Sequence, residues 1–245
     1  MDSSKRKGPV DARVLALIAC LLWATPAAFL RNAMGSFTPL PLGLFRLLIA
    51  SAALVVFGVV KKIGLPKLRD VPYFLLTGFI GFGGYFIIFN TGTAMIQSGL
   101  NAIILASSPV FVAIIMRIRY REVLSARRWI AIGIELAGLV ILVIFDGLLS
   151  LNLGVLYIFC AAIMLAIYSI LQRTGLRGYS PIQFTAYSIV AGTLFELGWL
   201  PELIPQVAHA QPFHILLVFC TAIFTTIITY MLWGKALEIA PRASD

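Results

Sequence analysis

Arg31-Asn32-Ala33-Met34-Gly35-Ser36-Phe37-Thr38-Pro39 returns, 142 residues later, as Arg173-Thr174-Gly175-Leu176-Arg177-Gly178-Tyr179-Ser180-Pro181. The two stretches share an Arg, an aromatic, a hydroxyl and a Pro in the same order. The same shift, with no gap, sets Phe45 on Tyr187 and Gly92-Thr93-Ala94 on Gly234-Lys235-Ala236. One offset shared by separate matches marks an internal duplication, and a duplication bounds an architecture before any single motif does.

What surrounds the repeated stretch is apolar. Of 245 residues 60% are hydrophobic and 12% charged, with a mean hydropathy of +0.98. So few polar residues cannot cover a water-soluble globule, so most of the surface must meet lipid. Apolar runs of crossing length, about 20 residues each, fall at 13–31, 41–60, 71–90, 98–116, 129–146, 152–171, 182–200 and 213–233. The expectation is an all-α polytopic membrane protein with eight transmembrane helices.

Charge placement orients it. Seventeen of the 19 basic residues lie in the N-terminal segment up to Arg13 and in the segments after spans 2, 4, 6 and 8; the other two are Arg31 and Arg46. By the positive-inside rule the tail, 1–12, and those segments are cytoplasmic. The net charge of +9 is therefore a topological label spread over short loops, which excludes a nucleic-acid groove and fits anionic lipid headgroups.

Five spans in the first unit, 13–146, are an odd number, so the second unit, 152–245, starts from the opposite side of the membrane. This is the 5+5 inverted repeat of many secondary transporters, whose substrate binds near the midplane between the units. The second unit holds three spans here. On a ten-helix plan about 40 residues and two helices are expected to be missing.

Chemistry-bearing motifs are scarce. Cys20, Cys160 and Cys220 are odd in number and unpaired in spacing, which argues against a disulfide framework or a zinc site. The two histidines, His209 and His214, belong to an outer loop or a span edge, and no HExxH, paired-Asp or nucleotide-binding motif occurs. No catalytic residue, metal or cofactor is expected, and an intramembrane enzyme is the weaker alternative. The partners expected are a small-molecule substrate and the bilayer; a homo-oligomer is compatible.

Gly92–Val112, with its Ser107-Ser108-Pro109, resembles the span 3 to span 4 region of EamA-type proteins in the drug/metabolite transporter superfamily. Arg121-Glu122-Val123-Leu124 followed by Trp129–Gly133 and Ala137-Gly138 resembles that family's short loop into helix 5. Trp23 and Arg46 fall where the family usually has a Trp and an Arg, whereas Ala24 stands in place of its customary Gly. The resemblance implies an exporter or exchanger of small metabolites, amino acids or amphipathic compounds in the bacterial inner membrane. The alternative is a truncated membrane fragment or assembly partner with no transport of its own.

Candidate site residues follow from what is costly in lipid. Arg46 lies roughly 9 Å inside span 2; it either binds an anionic group or snorkels to the headgroups. Glu196, on span 7, either pairs with Arg46, carries a coupling proton, or reaches water. Glu135, on span 5, is a second coupling candidate against a packing or salt-bridging role. Ser107, Ser108 and Pro109 in span 4, and Trp23, Thr25 and Pro26 in span 1, read as helix breaks lining a pathway or as plain kinks. Tyr85 and Asn90, with Gln97 and Asn101, offer hydrogen bonds to a substrate. Trp23, Tyr168 and Tyr187 offer rings, or serve as packing and interface anchors. Gly78, Gly81, Gly83 and Gly84 read as close helix packing.

Overall fold

A computed structural model describes residues 11–120, 126–145, 153–176 and 178–239. All described residues are in helices or the turns between them, with no strand. In chain order the α-helices are α1 (Ala12–Trp23), α2 (Pro26–Ala33), α3 (Pro39–Val60), α4 (Val71–Gly78), α5 (Gly84–Met95), α6 (Ser98–Ala106) and α7 (Ser108–Tyr120). They continue with α8 (Ala126–Phe145), α9 (Leu153–Gly175), α10 (Pro181–Glu196), α11 (Leu200–His209), α12 (Pro212–Cys220) and α13 (Thr229–Ile239). Two π-helical segments, Phe79–Gly83 and Thr221–Ile228, join α4 to α5 and α12 to α13.

Helix starts follow local chemistry. Pro39, Pro181 and Pro212 open α3, α10 and α12, where a missing N–H costs nothing and a fixed φ suits the first turn. Ser180 adds a capping box with Gln183 at the head of α10. α1 ends at Trp23 and α2 begins at Pro26, with the Thr25 hydroxyl donating to the Leu22 carbonyl at 2.8 Å. α6 and α7 meet in the same way around Ser107, just ahead of Pro109.

Among the described residues six helical stretches are long and apolar enough to cross a membrane. They are Ala12–Ala33, Pro39–Val60, Leu68–Met95, Ser98–Arg119, Leu153–Gly175 and Pro212–Ile239. The remaining two of the eight expected fall on α8 and α10. α10 has 16 residues, about 24 Å of helix against a hydrocarbon core of ~30 Å.

The offset of 142 reappears in the elements. It separates Pro39 from Pro181 at the starts of α3 and α10, and Phe79 from Thr221 at the starts of the two π segments. It also separates Ser51 and Thr193, whose hydroxyls bond to one another at 2.6 Å where α3 and α10 cross.

The core is aromatic at its centre, with Phe82, Phe86, Phe89, Tyr168, Phe184 and Tyr230 all buried. Leu17, Leu21, Val56, Val59 and Ile118 are exposed, the distribution expected when the solvent is lipid. α10 touches the α4 end backbone to backbone: a Cβ on Gly78 would stand 2.6 Å from the Gly192 nitrogen. Small residues allow that approach, which dispersion then stabilises.

Candidate functional site

Arg46 is 3% exposed and sits two turns into α3, pointing inward instead of snorkelling. Its Nε donates to Thr226 Oγ1 at 2.7 Å and its Nη2 to Thr225 Oγ1 at 3.0 Å. Its guanidinium carbon lies 4.3 Å from the centre of the Phe86 ring. Both threonines belong to the second π segment, and their own hydroxyls donate back to the Thr221 carbonyl at 2.8 and 3.1 Å. Widening the helix by one residue per turn places two side chains on one carbonyl and leaves their lone pairs for Arg46. Among the described residues no carboxylate forms an ion pair with Arg46 within 4.0 Å, unlike Arg69 with Asp70 or Lys235 with Glu238.

One turn along α3, Gly43 leaves room for two polar groups. A Cβ there would stand 2.7 Å from the Asn90 amide nitrogen and 2.9 Å from a Glu196 carboxyl oxygen. Glu196 is 1% exposed, so it does not reach water, and neither its oxygens nor the Asn90 amide atoms have a hydrogen-bond partner. Arg46, Asn90 and Glu196 thus form one polar island contributed by α3, α5 and α10. Tyr85, stacked on Phe89, and Tyr230, tilted on Phe82, border it. Trp23 meets Tyr230 edge-on at 5.3 Å, and Tyr168 does so at 5.4 Å.

Of the residues singled out from sequence, Trp23, Arg46, Tyr85, Asn90, Tyr168 and Glu196 converge on this centre. The others lie elsewhere. Asn101 donates to Thr93 Oγ1 at 2.6 Å, Ser107 donates to the Ile104 carbonyl at 2.6 Å, and Gln97 is exposed at the head of α6. Ser108 and Pro109 open α7, and Thr25 and Pro26 occupy the α1–α2 break. Tyr187 donates to the Gly64 carbonyl at one end of the bundle. The side chain of Glu135 lies outside the described residues.

Thr225, Thr226, Tyr230 and Gly43 were not singled out from sequence. The signal for the first two was present as Thr221, Thr225, Thr226 and Thr229, a hydroxyl stripe on one face of an otherwise apolar span.

Hydrogen bonds tie the chain across both ends of the bundle. At one end Thr38 and Gln206 exchange two bonds of 2.9 Å, and Ser36 and His214 share one of 2.7 Å. At the other, Tyr73 donates to the Leu171 carbonyl and Tyr179 donates to Asp70 at 2.6 Å, beside the Tyr187–Gly64 bond. The Asp70 carboxylate holding its proton pushes the Tyr179 phenol above its usual pKa.

A buried cation between two halves of a helical membrane protein is a transport geometry, and comparison with known proteins agrees. The EamA-like transporter family matches this chain twice, over residues 12–144 and 152–243. The chain belongs to the EamA-like transporter family. As an EamA protein, hence of the drug/metabolite transporter superfamily, it is similar to the uncharacterized transporter YdfC of Bacillus subtilis (strain 168). The two are 31% identical over 92% of this chain and 74% of that one. It is also similar to a probable terminal-alkyne amino-acid exporter of Streptantibioticus cattleyicolor, at 22% over 94% of this chain and 77% of that one. An uncharacterized transporter of Archaeoglobus fulgidus shares 27% over 94% and 82%. A solved crystal structure superposes with a TM-score of 0.69 at 18% identity, over 93% of this EamA chain and 80% of the other, a likeness of fold.

Proposed function

We propose that this EamA protein is a secondary transporter, an exporter or exchanger, whose cargo is a small metabolite carrying a carboxylate, with amino acids the first class to test. Arg46 carries the reading. A guanidinium has five N–H donors in a planar fork, and a buried charge is stable only when paired. Here two hydroxyls and a ring face hold it, with no acid at ion-pair distance. A carboxylate arriving from solution completes that fork bidentately. Glu196 and Asn90, across Gly43, supply acceptors for an ammonium group, and Glu196 is the coupling candidate that shares the centre. Glu135 remains a candidate on helix position alone.

The two units are 13–146 and 152–245, inverted relative to each other, with eight spans and the N-terminus in the cytoplasm of a bacterial inner membrane. Support comes from the repeated 142-residue spacing, the double family match and the loop charges. Alternating access then means breaking the bonds at one end of the bundle while those at the other persist. The relative named as an amino-acid exporter lends weight to the cargo class.

The test is counterflow of a labelled amino-acid panel into proteoliposomes holding the full chain. Wild type should accumulate at least one panel member. Arg46→Lys keeps the charge but loses the fork and should raise the half-saturating concentration about tenfold, and Arg46→Gln should abolish uptake. Equal uptake by wild type and a folded Arg46→Gln would sink the assignment.

A further inference from the structure

Away from the polar centre, a cavity of about 410 Å³ opens along one flank of the bundle. α3 lines it with Leu54, Val55 and Gly58, and α10 lines it from Ile182 to Leu194. The twelve helical steps from Ile182 to Leu194 rise about 18 Å, against about 15 Å for one leaflet, half of a ~30 Å core. The groove is therefore as deep as one layer of acyl chains. Its walls are almost wholly apolar, and Val55, Val59 and Leu194 are more than half exposed to the surroundings. Water has no place in such a slot, while a hydrocarbon chain does.

Its mouth is basic. The loop from Lys61 to Asp70 carries Lys61, Lys62, Lys67 and Arg69, all exposed, and its one acid, Asp70, already faces Arg69 and Tyr179. Lys62, which itself lines the groove, has φ 52, the one positive-φ non-glycine among the described residues. It follows the C-cap of α3, with Ile63 N–H donating to the Gly58 carbonyl at 2.8 Å and Lys62 N–H to the Val59 carbonyl at 3.2 Å. That hydrogen-bond pattern ends a helix with a left-handed residue, a position suited to glycine. A lysine there sets a cation at the rim at a conformational cost, and the negative end of the α3 dipole only partly explains it.

We infer that the groove between α3 and α10 binds one anionic phospholipid, its acyl chain along Ile182–Leu194 and its phosphate at Lys62. Acyl length matches groove depth, and phosphate charge matches the loop. The site is separate from the Arg46 centre and does not depend on the cargo assigned there.

Native mass spectrometry on the full chain, released from nanodiscs of equal phosphatidylglycerol and phosphatidylcholine, tests it. Wild type should retain one phosphatidylglycerol per chain about tenfold over phosphatidylcholine. Lys62→Gly suits the left-handed position and removes only the charge, so it should bring the two lipids to parity without lowering the melting temperature. Lys62→Asn, which also tolerates that conformation, reads the same quantity should the glycine variant fold poorly. A Cβ at Gly58 meets nothing within 4 Å, so Gly58→Leu should fill the groove and reduce retention of both lipids at least fivefold. Free glycerol phosphate should not displace the lipid, which separates chain binding from headgroup binding alone. Equal retention of the two lipids by wild type would overturn the inference. So would an undiminished preference in the folded Lys62 variants, or displacement of the lipid by an amphipathic amine at equal concentration.

Discussion

Thr225 and Thr226 each satisfy a backbone carbonyl and a buried guanidinium with one hydroxyl. Replacing either by Val keeps shape and removes the acceptor, leaving a charged donor without a partner in a dry site. Hydrogen bonds to charged groups contribute about 1.5–3 kcal/mol each, so each variant should unfold more easily by roughly that amount in a reversible denaturation series. A variant as stable as wild type would mean that water already shares the Arg46 donors. Gly81 works through space alone: a Cβ would stand 2.1 Å from the Tyr168 ring. Gly81→Leu should cost about 1–3 kcal/mol or prevent folding, visible as a lost or lowered melting transition. At this scale the sequence was informative about cost. An ionisable side chain inside a span is expensive wherever it points, so Arg46 and Glu196 could be picked out. Their direction could not, because snorkelling and burial use the same residue at the same depth, and only the packing of α3 against the second π segment decides between them.

Helices were legible where hydropathy and proline punctuation agree, as at Pro39, Pro181 and Pro212. The π segments were not. A wider turn leaves apolar periodicity nearly unchanged, and the glycines at 78, 81, 83 and 84 signalled close packing without signalling the register change. Asn101 and Ser107 show why a polar residue in a span does not declare its role: the Asn101 amide donates to Thr93 and the Ser107 hydroxyl to the Ile104 carbonyl, bonds that a packing residue makes as readily as one lining a pathway. The bonds across the bundle ends belong to elements rather than residues. Cysteines at Thr38 and Gln206, joined by an oxidant, should stop counterflow and release it on reduction. Continued transport through the cross-link would remove that end from the cycle. At the other end the Tyr179 phenol is raised by Asp70, so this bond contributes fully below the ordinary phenol value of 10.0 and is lost as pH climbs through the raised one. Alkaline melting of Tyr179→Phe should accordingly depend less on pH than that of wild type above about pH 10.

For the whole molecule, composition was decisive about lipid, and the family assignment agrees with it. The number of spans was harder to read, because a 16-residue α10 followed by a 3-10 turn and an amphipathic α11 does not announce a crossing by length. α10 packs on α3, α4 and the first π segment, with its Thr193 and Ser188 hydroxyls bonded to Ser51 and Thr77. The Ser51–Thr193 contact then has a mechanical meaning under the two-unit arrangement. Two positions equivalent by the duplication touch each other only near the axis that relates the two units. If the two units rock about that axis as proposed, relative displacement should be least there, and the Ser51–Thr193 bond should persist in both the inward- and the outward-open state.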